Sequence, residues 1–188
     1  MRQISLLLTA IILSTAFSMA QEKVIDTKNS TIEWRAKKVT GEHYGNITIK
    51  SGLLHMNNHK LTGGELTVDM NTISCVDIKN KDYNHKLIKH LESEDFFGVE
   101  KHPLSTLKLN SVKQSGNKYD VKGHLTIKGK THPIQFTATK NNHTYTGQIT
   151  VDRTLYDVRY GSGKFFDDLG DKMIYDHFEL NFKISVLQ

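Results

Sequence analysis

The run Phe178-Glu179-Leu180-Asn181-Phe182-Lys183-Ile184-Ser185-Val186, close to the C-terminus, puts an apolar residue at every second position. That period is the mark of a β-strand with one dry and one wet face. The alternation recurs upstream. Ile32, Trp34 and Ala36 are interleaved with Glu33 and Arg35, Ile47 and Ile49 flank Thr48, and Leu66, Val68 and Met70 alternate with Thr67 and Asp69. Leu125 and Ile127 enclose Thr126, while Ile134, Phe136 and Ala138 enclose Gln135 and Thr137. Turn chemistry falls between the runs at Ser51-Gly52, Asn57-Asn58, Gly116-Asn117, Lys128-Gly129-Lys130 and Asn141-Asn142, as hairpins require. Short strands joined by short turns predict an antiparallel meander of about eight to ten strands. Only Asn80 to Leu91 reads as helix, with Leu87, Ile88 and Leu91 at helical spacing, and Ser93 can cap a second short turn through Phe97.

Such a sheet has a single apolar face, which it must hide by closing on itself or by folding over. Closure is the simpler solution. It predicts an all-β, antiparallel, lipocalin-like barrel, either packed solid or wide enough for one small ligand, with one or two short helices capping an end. Leu87, Ile88, Leu91, Phe96 and Phe97 would form that lid. Composition agrees. Of the 188 residues 37 per cent are apolar, but Met1 to Ala20 hold 13 such residues in 20, leaving 34 per cent from Gln21 onward. A thick, helix-rich core needs more.

Those first twenty residues read as a secretory signal peptide, with Arg2 ahead of the apolar Ile4 to Phe17 and the small-x-small site Ser18-Met19-Ala20. The expectation is cleavage near Ala20 and a single mature domain over 21–188, periplasmic or secreted, with no transmembrane segment of its own. Gln21 is not a cysteine, so no lipid can be attached at the cleavage point. Cys75 is the sole cysteine; it excludes an internal disulfide and is expected to be buried in the Ile73 to Val76 run.

The formal charge is +5, nearly all from lysines spaced singly along the chain. That spacing suggests a solvated surface without the clustered basic face that nucleic-acid binding requires. The ten histidines give no metal-site spacing: His55 and His59 straddle a turn, and no Glu stands between paired histidines. Gly161-Ser162-Gly163 lacks the glycine a nucleophile elbow needs, because Tyr160 stands there. Asp167, Asp168 and Asp171 share a glycine-rich loop that reads as solvated. No catalytic residue, metal or cofactor is assigned. Arg153 and Arg159 lie among Asp152, Asp157, Tyr156 and Tyr160, where arginine either pins structure through carboxylates or holds the polar head of a ligand. Trp34, Phe96, Phe97, Phe136 and Phe165 either fill the barrel or line a lumen suited to a long apolar guest. With Arg153 and Tyr156 they are the candidate ligand-binding residues, at the lumen or its mouth.

In order, the segments Trp34-Arg35-Ala36-Lys37-Lys38-Val39, Leu61-Thr62-Gly63-Gly64-Glu65-Leu66-Thr67-Val68-Asp69-Met70, His90-Leu91-Glu92-Ser93-Glu94-Asp95-Phe96-Phe97, His102-Pro103 and Gly123-His124-Leu125-Thr126-Ile127-Lys128-Gly129-Lys130-Thr131 closely resemble the YceI-like family, from about Val24 to the C-terminus. The resemblance implies an extended antiparallel barrel, similar to lipocalins, that holds a polyisoprenoid or other long-chain lipid in its lumen in the bacterial periplasm. The leading expectation is therefore a non-enzymatic carrier or sequestering protein; a homodimer is left open. The rivals are an envelope enzyme dependent on a metal or on carboxylates, and an envelope stress protein with a packed barrel.

Overall fold

The computed structural model describes residues 20–187, so the expected signal peptide lies outside the described residues apart from Ala20. Nine strands form: β1 (Ala20–Val24), β2 (Thr31–Lys38), β3 (Gly41–Asn57), β4 (Lys60–Asp69), β5 (Leu104–Ser115), β6 (Lys118–Ile127), β7 (Lys130–Asn141), β8 (Thr144–Asp152) and β9 (Ile174–Ser185). All pairings are antiparallel. The order β3-β2-β9-β8-β7-β6-β5-β4 is closed by a further β3–β4 pairing, which makes an eight-stranded barrel with β1 as an extra strand. One helix, α1 (Lys81–Glu92), accompanies it. Among the described residues no helix is long and apolar enough to cross a membrane.

The period of two does what the sequence requires of it. On β6, Tyr119, Val121, Gly123, Leu125 and Ile127 are buried and the residues between them are not. Thr31 to Ala36 pair with Lys183 to Phe178, so Ile32 and Trp34 point the same way as Phe182 and Leu180. Hairpins β3–β4, β5–β6, β6–β7 and β7–β8 turn on two residues each, at 58–59, 116–117, 128–129 and 142–143. The predicted turns at Asn57-Asn58 and Asn141-Asn142 are each displaced by one residue.

Ser51-Gly52 is not a turn. It lies inside the 17-residue β3, beside a register shift between Ile49 and Ser51. A β-carbon on Gly52 would meet the Ile25 side chain and the Glu65 carbonyl. The glycine is there for close approach in a bent strand, and the bend lets β3 pair first with β2 and then with β1 along one edge.

The helix begins where expected. The side chain of Asn80 accepts hydrogen bonds from the Asp82 and Tyr83 amides, and Asn84 Nδ2 donates to the carbonyls of Cys75 and Ile78. The stretch after Ser93 forms turns instead of a second helix, with the Phe96 and Gly98 amides both donating to the Ser93 carbonyl. Three single-turn 3₁₀ segments, Met70–Thr72, Arg153–Tyr156 and Gly170–Lys172, complete the elements. Cys75 is half-buried. Its thiol donates to Asp77 Oδ1 at 3.2 Å, and Asp77 Oδ2 lies 2.8 Å from His43 Nδ1. Burial pushes the thiol up, and the Asp77 carboxylate adds to the shift, so the thiolate is disfavoured.

The ends of the barrel differ. Turns 58–59, 116–117 and 142–143 lie at one, the hairpin end. The long connections 70–103 and 153–173 lie at the other, the helix end, with the tight turns at 39–40 and 128–129.

Candidate functional site

Inside the closed sheet lies a cavity of about 190 Å³. Its walls run from Leu61, Tyr119 and Tyr145 near the hairpin end to Leu91, Phe96 and Val158 at the helix end. On β6 alone the lining extends from Tyr119 to Ile127. At roughly 3.3 Å per residue that is about 26 Å of strand, or about 20 Å along the axis of a barrel with the usual tilt. Apolar cavities of only about 150 Å³ stay dry and take up a small hydrocarbon.

The helix end of the cavity is closed by Trp34, Ile73, Leu91, Phe96 and Val158, against which Leu87, Ile88 and Phe97 pack. Trp34 is fixed by its Nε1–H, which donates to the Ser74 carbonyl at 2.9 Å. Phe96 and Tyr160 both pack against the His90 ring, edge-on, at 4.8 and 4.4 Å. Mid-barrel, Phe136 and Phe182 meet edge to face at 5.6 Å.

Polar groups that reach the lining are already engaged. Arg153 is 4 per cent exposed. Its Nε donates to the Tyr175 carbonyl, Nη1 to the Val158 and Tyr160 carbonyls, and Nη2 to the Ile174 carbonyl. Nη2 also lies 3.7 Å from Asp176 Oδ1, a buried oxygen with no hydrogen bond of its own. Burial lowers the Arg153 pKa, against the opposing pull of Asp176 and Asp152, yet a guanidinium stays protonated. The Ser105 hydroxyl faces Met70 Sδ at 3.0 Å. Tyr119 and Tyr145 stack edge to face at 5.4 Å; burial pushes the Tyr145 phenol up to about 12, so it is neutral. Glu65 and Thr106 belong to the lining but are exposed.

Of the seven candidate residues, Trp34, Phe96, Phe97, Phe136 and Arg153 line this cavity. Tyr156 and Phe165 do not. Tyr156 is 1 per cent exposed, sits in a core cluster with Leu125, Ile127, Ile149 and Val151 and packs edge-on against His132 at 5.2 Å, where burial and then the Asp152 charge raise its phenol to about 12. Phe165 is 45 per cent exposed. Its amide and that of Phe166 both donate to the Ser162 carbonyl, a turn that carries the ring outward beneath the Arg159 guanidinium, 4.9 Å from the centroid. The ligand-head reading of Arg153 also meets an obstacle, because its donors are spent on backbone carbonyls that tie the 157–175 segment down.

Sequence reasoning missed Tyr119, Val121 and Tyr145 as lining residues. The alternation Tyr119, Val121, Gly123 was present, but a glycine in the middle hides the period. No group of three or more His, Cys, Asp or Glu converges among the described residues.

Residues 24–186 match the family described as the YceI-like domain. A UPF0312 protein of Pectobacterium atrosepticum is 30 per cent identical over 139 residues, 72 per cent of this chain and 69 per cent of that protein. Among solved structures, BcnA of Burkholderia cenocepacia superposes with a TM-score of 0.64 at 23 per cent identity, over 87 per cent of this chain and 99 per cent of its own. A polyisoprenoid-binding domain from Saccharophagus degradans, implicated in plant cell wall breakdown, superposes at 0.61 and 13 per cent identity, over 87 and 97 per cent. At these identities the likeness is one of fold.

Proposed function

The chain belongs to the YceI-like domain family, and from that premise we propose that it is an exported, non-enzymatic binding protein that carries or sequesters a polyisoprenoid or similar long-chain lipid in its barrel. The observation that carries this reading is the lining itself. The cavity extends most of the length of the barrel and is walled almost wholly by aliphatic and aromatic side chains; of its two charged lining residues, Arg153 is held by backbone carbonyls and Glu65 is exposed to solvent. A guest therefore enters by its apolar chain, each buried CH₂ adding about 0.8 kcal/mol, and an ionised head has no partner inside. The polyisoprenoid-binding domain of similar fold supports the choice of chain. The expected leader Met1 to Ala20 supports export.

The test is organic extraction of the purified protein followed by mass spectrometry. A stoichiometric long-chain amphiphile is expected; a protein that neither yields one nor takes up a fluorescent polyprenol overturns the proposal. Phe136→Glu, in the lumen wall, should lower uptake far more than Lys37→Glu, whose side chain is exposed.

A further inference from the structure

The lysines are not evenly spread over the folded molecule. Residues 104–141, which make β5, β6 and β7, hold seven lysines and one acid, Asp120. That is a formal +6, against +5 for the whole chain, so the other 150 residues sum to −1. Alternation places Lys108 and Lys113 of β5 and Lys118 and Lys122 of β6 on the outer face, and all four, with Lys130, are exposed. Register then gathers them: Lys108 has His124 on one side and the exposed Glu65 of β4 on the other, and Lys113 is opposite Asp120. Asp120 spends Oδ1 on the Thr137 hydroxyl at 2.9 Å. Among the described residues, the lysine and arginine ion pairs all lie elsewhere, at Arg35, Lys89, Lys101, Arg153, Arg159 and Lys164. The single spacing that suggests a dispersed solvated surface is thus the spacing that gathers four lysines on one outer face, while Lys128 is bonded to the Glu94 and Asp157 carbonyls and Lys140 lies over the Tyr145 ring.

We propose that this outer face of β5, β6 and β7 docks the protein on an anionic phospholipid bilayer. The same face of a second copy is repelled by the same charge. No Phe, Tyr or Trp points outward from these three strands, so there is no stacking platform for nucleic-acid bases. An array of lysines without aromatic residues does fit a layer of phosphates, each lysine close to the surface adding to the attraction. The wall is also thin beside this face. β7 pairs with β8 only over Ala138 to Asn141, leaving Lys130 to Thr137 without ladder partners there, and Phe136 and Ile149 on either side of the gap line the cavity. Tyr156, packed on His132, covers it. The preference for a bilayer over another polyanion rests on the lipid-guest reading above; the docking measurement itself does not need a filled lumen.

The test is flotation of the full chain with vesicles of phosphatidylcholine containing about 30 per cent phosphatidylglycerol, and with phosphatidylcholine alone, at about 0.05 M and about 0.5 M salt. Binding is expected to the anionic vesicles only, and to fall away at high salt. Lys113→Glu with Lys122→Glu should weaken it about tenfold or more, with unchanged thermal unfolding and unchanged uptake of a fluorescent polyprenol. Lys37→Glu with Lys183→Glu makes the same charge change on β2 and β9, away from this face, and should leave binding near wild type. Equal loss in both pairs, no binding by the wild type, or tighter binding to duplex DNA than to the vesicles would each overturn the proposal. A chain that docks but neither yields a lipid on extraction nor takes up the polyprenol overturns the guest and leaves the docking standing.

Discussion

The two ends of this barrel are built by different means. At the hairpin end three two-residue turns join the strands, and each is specified by the residues in it: Asn58 and His59 both have positive φ, at 47° and 63°, and Gly116 has φ of 60°. At the helix end, residues 70–103 and 153–173 hold their places through groups far away in sequence. Trp34 reaches Ser74, Asp77 accepts from the Tyr44 amide and faces His43, and Arg153 gathers carbonyls from Val158 to Tyr175. Local chemistry closes one end. Buried polar side chains close the other, and that is the end walled by Trp34, Phe96 and Phe97. Damage at the helix end should therefore cost more and spread further.

The strongest test removes the Arg153 guanidinium. Arg153→Met keeps much of the side-chain volume but strands four carbonyls and the already unbonded Asp176 Oδ1. A loss of about 3–5 kcal/mol is expected from breaking a buried charged network, measured by urea unfolding, with hydrogen exchange rising first in 157–175. Arg35→Met, which breaks half-exposed pairs with Glu33 and Glu42, should cost about 1 kcal/mol or less. Both arginines belong to the helix half of the barrel, so equal losses would mean that burying the Arg153 network contributes nothing beyond a surface ion pair.

A matched pair of glycines comes next. A methyl on Gly45 would run into the backbone at Ser74 and Cys75, so Gly45→Ala must push the 73–78 segment off β3. An overpacking cost of about 1–3 kcal/mol is expected, with a loss of polyprenol uptake as the Trp34 lid loosens. Gly116 has nothing within 4 Å of its added carbon. Gly116→Ala meets only the left-handed backbone cost of about 1 kcal/mol and should leave uptake unchanged.

The same contrast explains how much could be read in advance. The barrel, its approximate strand number and the capping helix follow from alternation, turn residues and the Asn80 cap, all of them signals within a dozen residues. The hydrophobic lining was legible wherever alternation was clean, as at Trp34 and Phe136. What escaped depends on pairs distant in sequence. The bend at Gly52 reflects Ile25 and Glu65 across the sheet, Phe165 turns outward because of hydrogen bonds to the Ser162 carbonyl, and Arg153 finds carbonyls instead of the neighbouring carboxylates. The basic face was hidden for a related reason: lysines spaced singly by sequence are neighbours by register.

Acid supplies a milder probe of the helix end. Burial alone would raise the Asp152 carboxyl; bonds from Thr154 and Lys164 outweigh it and hold the group below its usual range. A depressed carboxylate contributes stability that is complete above its unfolded value of about 3.9 and is lost as the pH falls through the lower folded value. Asp152→Asn retains a side-chain oxygen for the Thr154 amide but loses the charge facing Lys164, 2.9 Å away. Since Lys164 is half-exposed, the cost near pH 7 should be about 1 kcal/mol or less, and the difference from wild type should shrink as the pH falls below about 4. A difference that grows in acid would show that Asp152 acts through something other than its charge.

The smallest effect is expected at the hairpin end, and its sign is opposite. Asn57 pairs with Lys60 across Asn58 and His59, and the positive φ of both turn residues is the geometry for which Asn-Gly is the preferred sequence. His59→Gly removes the β-carbon cost of the left-handed conformation, roughly 1–2 kcal/mol at most, but gives the unfolded chain more freedom to lose. The two effects partly cancel, leaving a net gain of about 0.5 kcal/mol, seen as a slightly higher midpoint in urea with exchange in 73–103 and 157–175 unchanged. Because the turn is closed by its own backbone, the gain should add to the loss in Arg153→Met without interaction, as it does for distant sites. A double variant that departs from additivity would mean that the two ends communicate through the cavity between them.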